Sequence, residues 1–318
     1  MTTIPGTAVS IVIPTHSERR WASLARTVAS AQAQEQPSAE IVIVVDHNPA
    51  LYRRAREEIK GVTVLENEYA RGASGARNTG AFHTRSPLIA FLDDDTVAGP
   101  DWLGNLVAPF TDPAVVGAGG GILPAWEGAR PGWLPDELLW TVGVSYAGMP
   151  TATAPIRNVW SASMMVRRDA FLAVSGFRAG FGKLGDQNRP EDTELCLRMS
   201  ATGGLWMYVP QAIIDHEVPN DRATFRFFLR RCYAEGRGKV QMAGLLPPTQ
   251  KLGAEREYLR RTLPRAMARN IAAASHGRGM FHALRAGAVL AAVAAAAAGG
   301  GIETLVALLE TNVNDSSS

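Results

Sequence analysis

Cysteine is scarce in this chain, with two in 318 residues, Cys196 and Cys232. Both fall in stretches of helical pattern and neither has a metal-type spacing, so a disulfide framework and a zinc–cysteine centre are excluded. Buried free thiols in a reducing compartment are expected. Charge is thin as well, at 19% of residues against 46% hydrophobic. That balance excludes a disordered chain except at its ends, such as the closing Asn314-Asp315-Ser316-Ser317-Ser318. No basic stretch followed by an apolar run opens the sequence, so neither a secretory signal nor an N-terminal anchor is expected, and a cytoplasmic location follows. There is no internal repeat. A net charge of +2 looks neutral, but it conceals an uneven distribution.

What is present begins with alternation. Val9 to Ile13, Ile41 to Val45, Val62 to Leu65 and Leu88 to Leu92 are short Val-, Ile- and Leu-rich runs without clean polar alternation, as parallel strands covered on both faces require. Arg19 to Gln34, Ala50 to Glu58 and Ser74 to Thr84, between them, have helical patterning. The order β-α-β-α-β-α-β predicts a doubly wound, mostly parallel α/β sheet, whose ligands sit beyond the carboxyl ends of the strands. Those ends carry Pro14-Thr15-His16, Asp46-His47-Asn48 and Asp93-Asp94-Asp95. From Val115 to about Trp160, Gly, Pro and Trp predict turns and loops, a candidate cleft wall. Regular patterning resumes at Arg168 to Val174, Glu191 to Met199 and Trp206 to Val209. The length suits a catalytic domain over 7–220 and a basic, helical C-terminal extension over 221–318.

Three adjacent carboxylates after an apolar strand repel one another unless something neutral or cationic intervenes. A divalent cation held against a diphosphate takes one or two carboxylates and completes its shell with phosphate and water. A solvated cap for a helix starting near Pro100 is the other reading of the same residues. Arg189-Pro190-Glu191-Asp192 heads a helix, where acids serve as first-turn charges or as a base that removes a proton from an attacking hydroxyl. His216, after Ile213-Ile214-Asp215, is either a structural imidazole or a ligand for a borderline metal such as Mn²⁺.

Taken in order, Val-Ser-Ile-Val-Ile-Pro-Thr (9–15), Ile-Val-Ile-Val-Val-Asp (41–46), Gly-Ala-Ser-Gly-Ala-Arg-Asn-Thr-Gly (72–80), Leu-Asp-Asp-Asp (92–95), Ser-Ala-Ser-Met-Met-Val-Arg-Arg-Asp-Ala-Phe (161–171), Ser-Gly-Phe (175–177) and Glu-Asp-Thr-Glu-Leu-Cys-Leu-Arg (191–198) resemble family 2 glycosyltransferases of the GT-A fold. The resemblance covers roughly Val9 to His216. It implies an inverting, metal-dependent transfer of a single sugar from a nucleotide-diphosphate donor, a UDP-sugar first, to a hydroxyl of a saccharide, lipid-linked or small-molecule acceptor. By the same resemblance, Pro14, Thr15, Asp46, Arg77, Asn78, Asp93 and Asp94 bind the nucleotide. Asp95 and His216 hold Mn²⁺ or Mg²⁺, Asp192 is the catalytic base, and Trp160, Ser161, Ala162 and Glu191 line the donor and acceptor cleft. The sequence departs from the family at Asp46-His47-Asn48-Pro49, where many relatives have Asp-Asp-Gly-Ser. It also lacks the Gln-x-x-Arg-Trp of processive synthases.

Two other activities compete for the same residues. A sugar-phosphate nucleotidyltransferase needs a Gly-rich, basic loop directly after the first strand, and Pro14-Thr15-His16-Ser17 supplies none. A non-catalytic nucleotide-sugar-binding module needs no base, which leaves Asp192 unexplained. Past Asp221 the chain turns cationic, with roughly ten excess positive charges between Arg222 and Arg285. An anionic membrane surface, a phosphorylated acceptor and mere solvation all fit that charge. Nucleic acid is not expected, because the tail has no recognisable nucleic-acid-binding fold. The Ala286 to Ala298 run reads as a packed helix rather than a membrane span.

Overall fold

The four apolar runs of the first half are strands: β1 (Val9–Thr15), β2 (Glu40–Val45), β3 (Thr63–Glu66) and β4 (Leu88–Leu92). Helices α1 (Trp21–Gln32), α2 (Pro49–Glu58) and α3 (Ala73–His83) separate them. In this computed structural model, which describes residues 7–184, 187–201, 203–245, 258–274 and 279–315, β1 runs parallel to β2 and β4, and β2 parallel to β3. Every residue of β1 and β4 is buried. Strands covered on both faces must be apolar throughout, which explains the runs.

Local chemistry sets the helix ends. Asn48 caps α2, its Oδ1 accepting from the Leu51 amide at 3.1 Å, with Pro49 in the first turn where its missing N–H costs nothing. Helix α3 lies on the sheet through Gly80, where an added Cβ would sit 2.4 Å from Val12 Cγ1 and 3.0 Å from Val44 Cγ2. Overpacking a close-packed contact of this kind costs about 1 to 3 kcal/mol. Gly80→Ala is therefore expected to lower stability by that amount in urea denaturation, and an unchanged midpoint would mean the helix moves freely on the sheet.

Beyond β4 the sheet becomes mixed. Strands β5 (Thr96–Ala98), β6 (Val115–Trp126), β7 (Ala154–Pro155), β8 (Ser163–Arg167), the short β9 (Gly182–Leu184) and β10 (Gln187–Arg189), and β11 (Leu205–Val218) follow in the chain. Helices α4 (Trp102–Val107), α5 (Arg168–Ala173) and α6 (Glu191–Ser200) lie among them. The sheet order is β3-β2-β1-β4-β8-β6-β11-β5, with β7 on β11. Strand β8 is antiparallel to β4 and β6, and β11 is antiparallel to β5 and β7. The expected parallel sheet is thus one half of a larger mixed one.

One expectation is corrected outright. The Gly- and Pro-rich stretch from Val115 contains a twelve-residue strand, β6, buried from Val115 to Ile122. Its glycines are packing positions rather than turn signals. An added Cβ would lie 2.3 Å from the Trp206 ring at Gly117, 2.3 Å from Val159 at Gly119, and 2.1 Å from the Ala212 carbonyl oxygen at Gly120. The capping reading of Asp93–Asp95 also fails. The helix near Pro100 is α4, which begins at Trp102 behind Asp101, and the triplet lies between β4 and β5.

The chain divides into two compact units. The first comprises Met1–Ala125, Pro150–Asp186 and Pro190–Glu217; the second comprises Trp126–Met149, Gln187–Arg189 and Val218–Ser318. The second unit contains α7 (Phe225–Leu245), α8 (Leu263–Ala274) and α9 (Gly279–Asp315). In it Arg269 pairs with buried Glu137 at 2.6 Å, Tyr258 donates to the Glu137 carbonyl at 2.5 Å, and Trp140 Nε1 donates to the Tyr258 hydroxyl at 3.1 Å. Cys196 and Cys232 are free and buried. Burial pushes both thiols up, Cys232 to about 12, so neither is a ready nucleophile.

Candidate active site

The acidic triplet fills the corner between β4 and β5, and the backbone fixes it. The Asp93 amide donates to the Ala162 carbonyl at 3.4 Å, and the Thr96 hydroxyl donates back to the Asp93 carbonyl at 2.7 Å. The Glu217 amide donates to the Asp95 carbonyl at 2.9 Å. Three carboxylates so close repel one another, and two arginines offset that, Arg77 at Asp93 and Arg20 at both Asp94 and Asp95. Asp93 Oδ1 accepts from Arg77 Nη2 at 2.6 Å. Asp94 accepts from the Thr15 hydroxyl at 2.7 Å and from Arg20 Nη1 at 2.6 Å. Asp95 lies 3.2 Å from Arg20 Nη2 and, through Oδ1, 3.7 Å from His216 Nε2.

Partners and burial set the protonation. Burial opposes ionisation of Asp93, but the Arg77 guanidinium outweighs it and holds the carboxyl below its usual range. At Asp94 burial prevails over Arg20 and the carboxyl is raised. Arg77 is buried and Arg20 partly so, which disfavours their charge. Their carboxylate neighbours reverse that, Asp95 and Asp94 at Arg20, Asp93 and Glu191 at Arg77, and hold them firmly protonated.

Arg77 joins the two halves of the site. Its side chain is 3% exposed, within α3, with the guanidinium 5.6 Å over the Phe177 ring. While Nη2 binds Asp93, Nη1 reaches Glu191 Oε1 at 3.2 Å. Glu191 and Asp192 are the first residues of α6, which Pro190 precedes as N-cap. Asp192 Oδ1 accepts from the Thr193 amide at 2.7 Å, and its charge bears on Arg77. Acids almost a hundred positions apart in sequence thus meet around one buried guanidinium. Such a corner offers carboxylates to a cation on one side and a proton acceptor on the other.

His216 arrives from β11, where it pairs with Thr96 of β5. Asp215 beside it is exposed while His216 is 6% exposed, as strand alternation dictates. Ser161 and Ala162 form the turn into β8, beside Asp93, with the Ser163 amide closing on the Trp160 carbonyl at 3.2 Å. Pro14 sits in β1 opposite Val44.

Two residues expected to bind nucleotide are occupied in holding loops. Asp46 Oδ1 accepts from Asn67 Nδ2 at 2.6 Å and contacts His47 Nδ1 at 2.8 Å, while Oδ2 accepts from the Gly72 amide at 2.9 Å. Although burial works against it, these hydrogen bonds keep the Asp46 carboxyl below its usual range. His47 takes a φ of +51°, a conformation uncommon outside glycine. Asn78 is the second: its Nδ2 donates to the Phe177 carbonyl at 2.8 Å and its Oδ1 accepts the Phe177 amide at 2.9 Å, so it clasps the loop at Ser175–Phe177.

Sequence reasoning missed Arg20, Asn67 and Glu217. Arg20 spans Asp94 and Asp95, and Asn67 links Asp46 to the loop before α3 through the Ala70 carbonyl. Glu217 accepts from Ser23 at 2.7 Å and from Arg26, anchoring the strand beside His216 to α1. Among the described residues no set of three or more His, Cys, Asp or Glu side chains is placed to enclose a metal ion.

Residues 10–174 match the sequence pattern of the family described as Glycosyl transferase family 2. A glucosyl-dolichyl phosphate glucuronosyltransferase of Haloferax volcanii is 32% identical over 245 residues, covering 75% of this chain and 78% of that protein. Among solved structures, mannosyltransferase PcManGT from Pyrobaculum calidifontis, in complex with GDP-Man and Mn²⁺, superposes with a TM-score of 0.56 at 18% identity, covering 90% of this chain and 86% of that one. GalNAc-T7 with UDP, GalNAc and Mn²⁺ gives 0.53 at 19% identity over 77% of this chain and 52% of that one. At such identities these two share the fold.

Proposed function

The chain belongs to glycosyl transferase family 2 and is a glycosyltransferase that uses nucleotide sugars, and from that premise we propose that it adds one sugar, with inversion, to a hydroxyl of a lipid-phosphate-linked acceptor at the cytoplasmic face of a membrane. The observation that carries the reaction is the Arg77 bridge between Asp93 and Glu191, which sets the acidic triplet and Asp192 around a single corner. The lipid-linked acceptor is supported by the dolichyl phosphate in the name of the Haloferax relative. Uridine nucleotides are the first donors to test.

The donor set fits a divalent cation. Asp95 Oδ1 and His216 Nε2 are buried and 3.7 Å apart, too far for a hydrogen bond and suited to two ligands on one ion, with diphosphate and water completing a shell to which the protein gives only two groups. When bound, Mn²⁺ or Mg²⁺ offsets the negative charge that gathers on the departing nucleoside diphosphate. The remaining work falls to the chain. Asp93 and Asp94 orient the ribose, with Arg20 and Arg77 holding their carboxylates in place. Asp192 takes the hydroxyl proton as the acceptor oxygen bonds to the anomeric carbon and the bond to the diphosphate breaks. One displacement of this kind inverts the configuration.

A thermal-shift panel of nucleoside diphosphates with and without Mn²⁺ tests the donor side. A ligand at a hundred times its Kd is expected to raise Tm by roughly 5 °C, and only with metal present. In His216→Ala the same shift is expected to need at least about tenfold more Mn²⁺, since even an outer partner of a metal ligand is worth that much. Absence of any shift across the panel would contradict the donor site, and an unchanged Mn²⁺ requirement would remove His216 from it.

A further inference from the structure

The second unit presents a surface that water does not favour. Helix α9 carries a 24-residue segment, Gly279–Ile302, of mean hydropathy 1.6, with 17% of its most apolar window buried. Its exposed residues recur every three or four positions and form one face. Met280, Phe281, Leu284, Leu290, Val293 and Ile302 are 41 to 70% exposed, and the positions between them on that face are Ala and Gly. The single arginine of the segment, Arg285, is half-buried and donates to the Gly132 carbonyl at 2.9 Å. A helix on the outside of a soluble protein turns its polar face outward. Here the outward face has no charged side chain over about 36 Å of helix.

Charge identifies what covers it. Fourteen Arg and Lys stand against three Glu between Arg222 and Arg285, and Arg226, Arg230, Arg260, Arg261 and Arg265 are exposed. An apolar helix face on a cationic unit matches the two layers of an anionic membrane surface, acyl chains below and acidic headgroups above. A second copy of the same cationic unit would be repelled. Crossing the bilayer is opposed by the packing behind the helix. An added Cβ at Gly236 of α7 would lie 1.9 Å from the Ala296 carbonyl oxygen, and one at Gly299 2.1 Å from the Tyr233 carbonyl oxygen, so the two backbones touch. That stretch of α7 carries Lys239 paired to Glu235 at 3.3 Å, and hydrocarbon would receive these charges together with the helix.

We infer that the exposed face of α9 from Met280 to Ile302 docks the protein on an anionic lipid bilayer, lying within the headgroup boundary without spanning it. The surface is independent of the sugar chemistry, and its test reads no turnover. Full-length protein is mixed with phosphatidylcholine vesicles, with or without a third of phosphatidylglycerol, and floated on a density gradient. Wild type is expected to float with the anionic vesicles, to bind the neutral ones about tenfold more weakly, and to be released by high salt or alkaline carbonate. The double variant Leu290→Glu, Val293→Glu is expected to lose at least about tenfold in vesicle binding. Its circular dichroism melt reports folding. Should it misfold, Arg260→Glu with Arg265→Glu serves instead, and is expected to reduce binding to anionic vesicles alone. Wild type left in the soluble fraction, or variants that float like wild type, would overturn the inference. So would carbonate-resistant retention, which indicates a span, or a wild-type dimer that the double variant makes monomeric, which indicates a second copy.

Discussion

Asp192→Asn is expected to lower kcat by about a thousandfold while leaving donor affinity within about twofold, because a positioned base contributes roughly two to four orders of magnitude to proton removal. The substitution suits the geometry. Asn keeps the shape of Asp and retains an oxygen to accept the Thr193 amide that Asp192 Oδ1 accepts at 2.7 Å. The start of α6 therefore holds, and Glu191 still pairs with Arg77 at 3.2 Å. What is lost is the capacity to take a proton from the attacking hydroxyl. Steady-state kinetics beside a donor titration separates the two effects. A parallel loss of donor affinity would place Asp192 in binding, and unchanged turnover would remove it from the base role.

Arg77→Met has the second large effect, on the fold of the site itself. The guanidinium is buried between Asp93 and Glu191, whose side chains are 27% and 17% exposed. Removing it leaves two carboxylates facing each other without their cation. Breaking a buried pair from one side costs about 3 to 5 kcal/mol, and the partial exposure of the acids places the expected loss near the lower end, about 3 kcal/mol in urea denaturation. Arg77→Lys keeps the charge but has one ammonium where two branches are needed, so an intermediate loss is expected. The pH dependence has a definite sign. In wild type the Asp93 carboxyl is held below its usual range against the cost of burial by Arg77. The stability this contributes is present above the carboxyl's unfolded value and is lost as pH falls through the lowered one. Without Arg77, the burial that opposes ionisation of Asp93 is no longer offset, so protonation of that carboxyl relieves the variant. The gap between wild type and variant is expected to be widest near neutral pH and to shrink as pH falls below about 4. A gap independent of pH would mean that Arg77 acts by packing alone.

The parallel half of the sheet was legible because its strands are buried on both faces and so cannot hide their composition; Ile41 to Val45 has no other ready explanation. The acids were legible because Asp93 to Asp95 make no sense as an isolated cluster. Strand β6 was not, since Gly117 to Gly121 signal turns unless Trp206, Val159 and Ala212 are known to press against them, and those partners lie 40 to 92 positions away. Arg20 escaped notice because nothing in Glu18-Arg19-Arg20 separates it from Arg19; only the fold brings it onto Asp94 and Asp95. The family resemblance assigns Asn78 to the nucleotide together with Arg77. Successive helix residues project about 100° apart, so one faces the acids and the other clasps Phe177.

An inverting transfer would account for two acidic clusters at one corner: the anomeric carbon loses a diphosphate from one face while it gains the acceptor oxygen on the other. Proton NMR of the sugar released from the nucleotide-sugar donor, with water standing in for the acceptor and spectra taken before the anomers equilibrate, reads that geometry directly. A first-formed anomer opposite to the donor's is the expected result, since one base assists one displacement. A first-formed anomer with the donor's own configuration would require two displacements or a front-side attack, and would contradict the role given to Asp192.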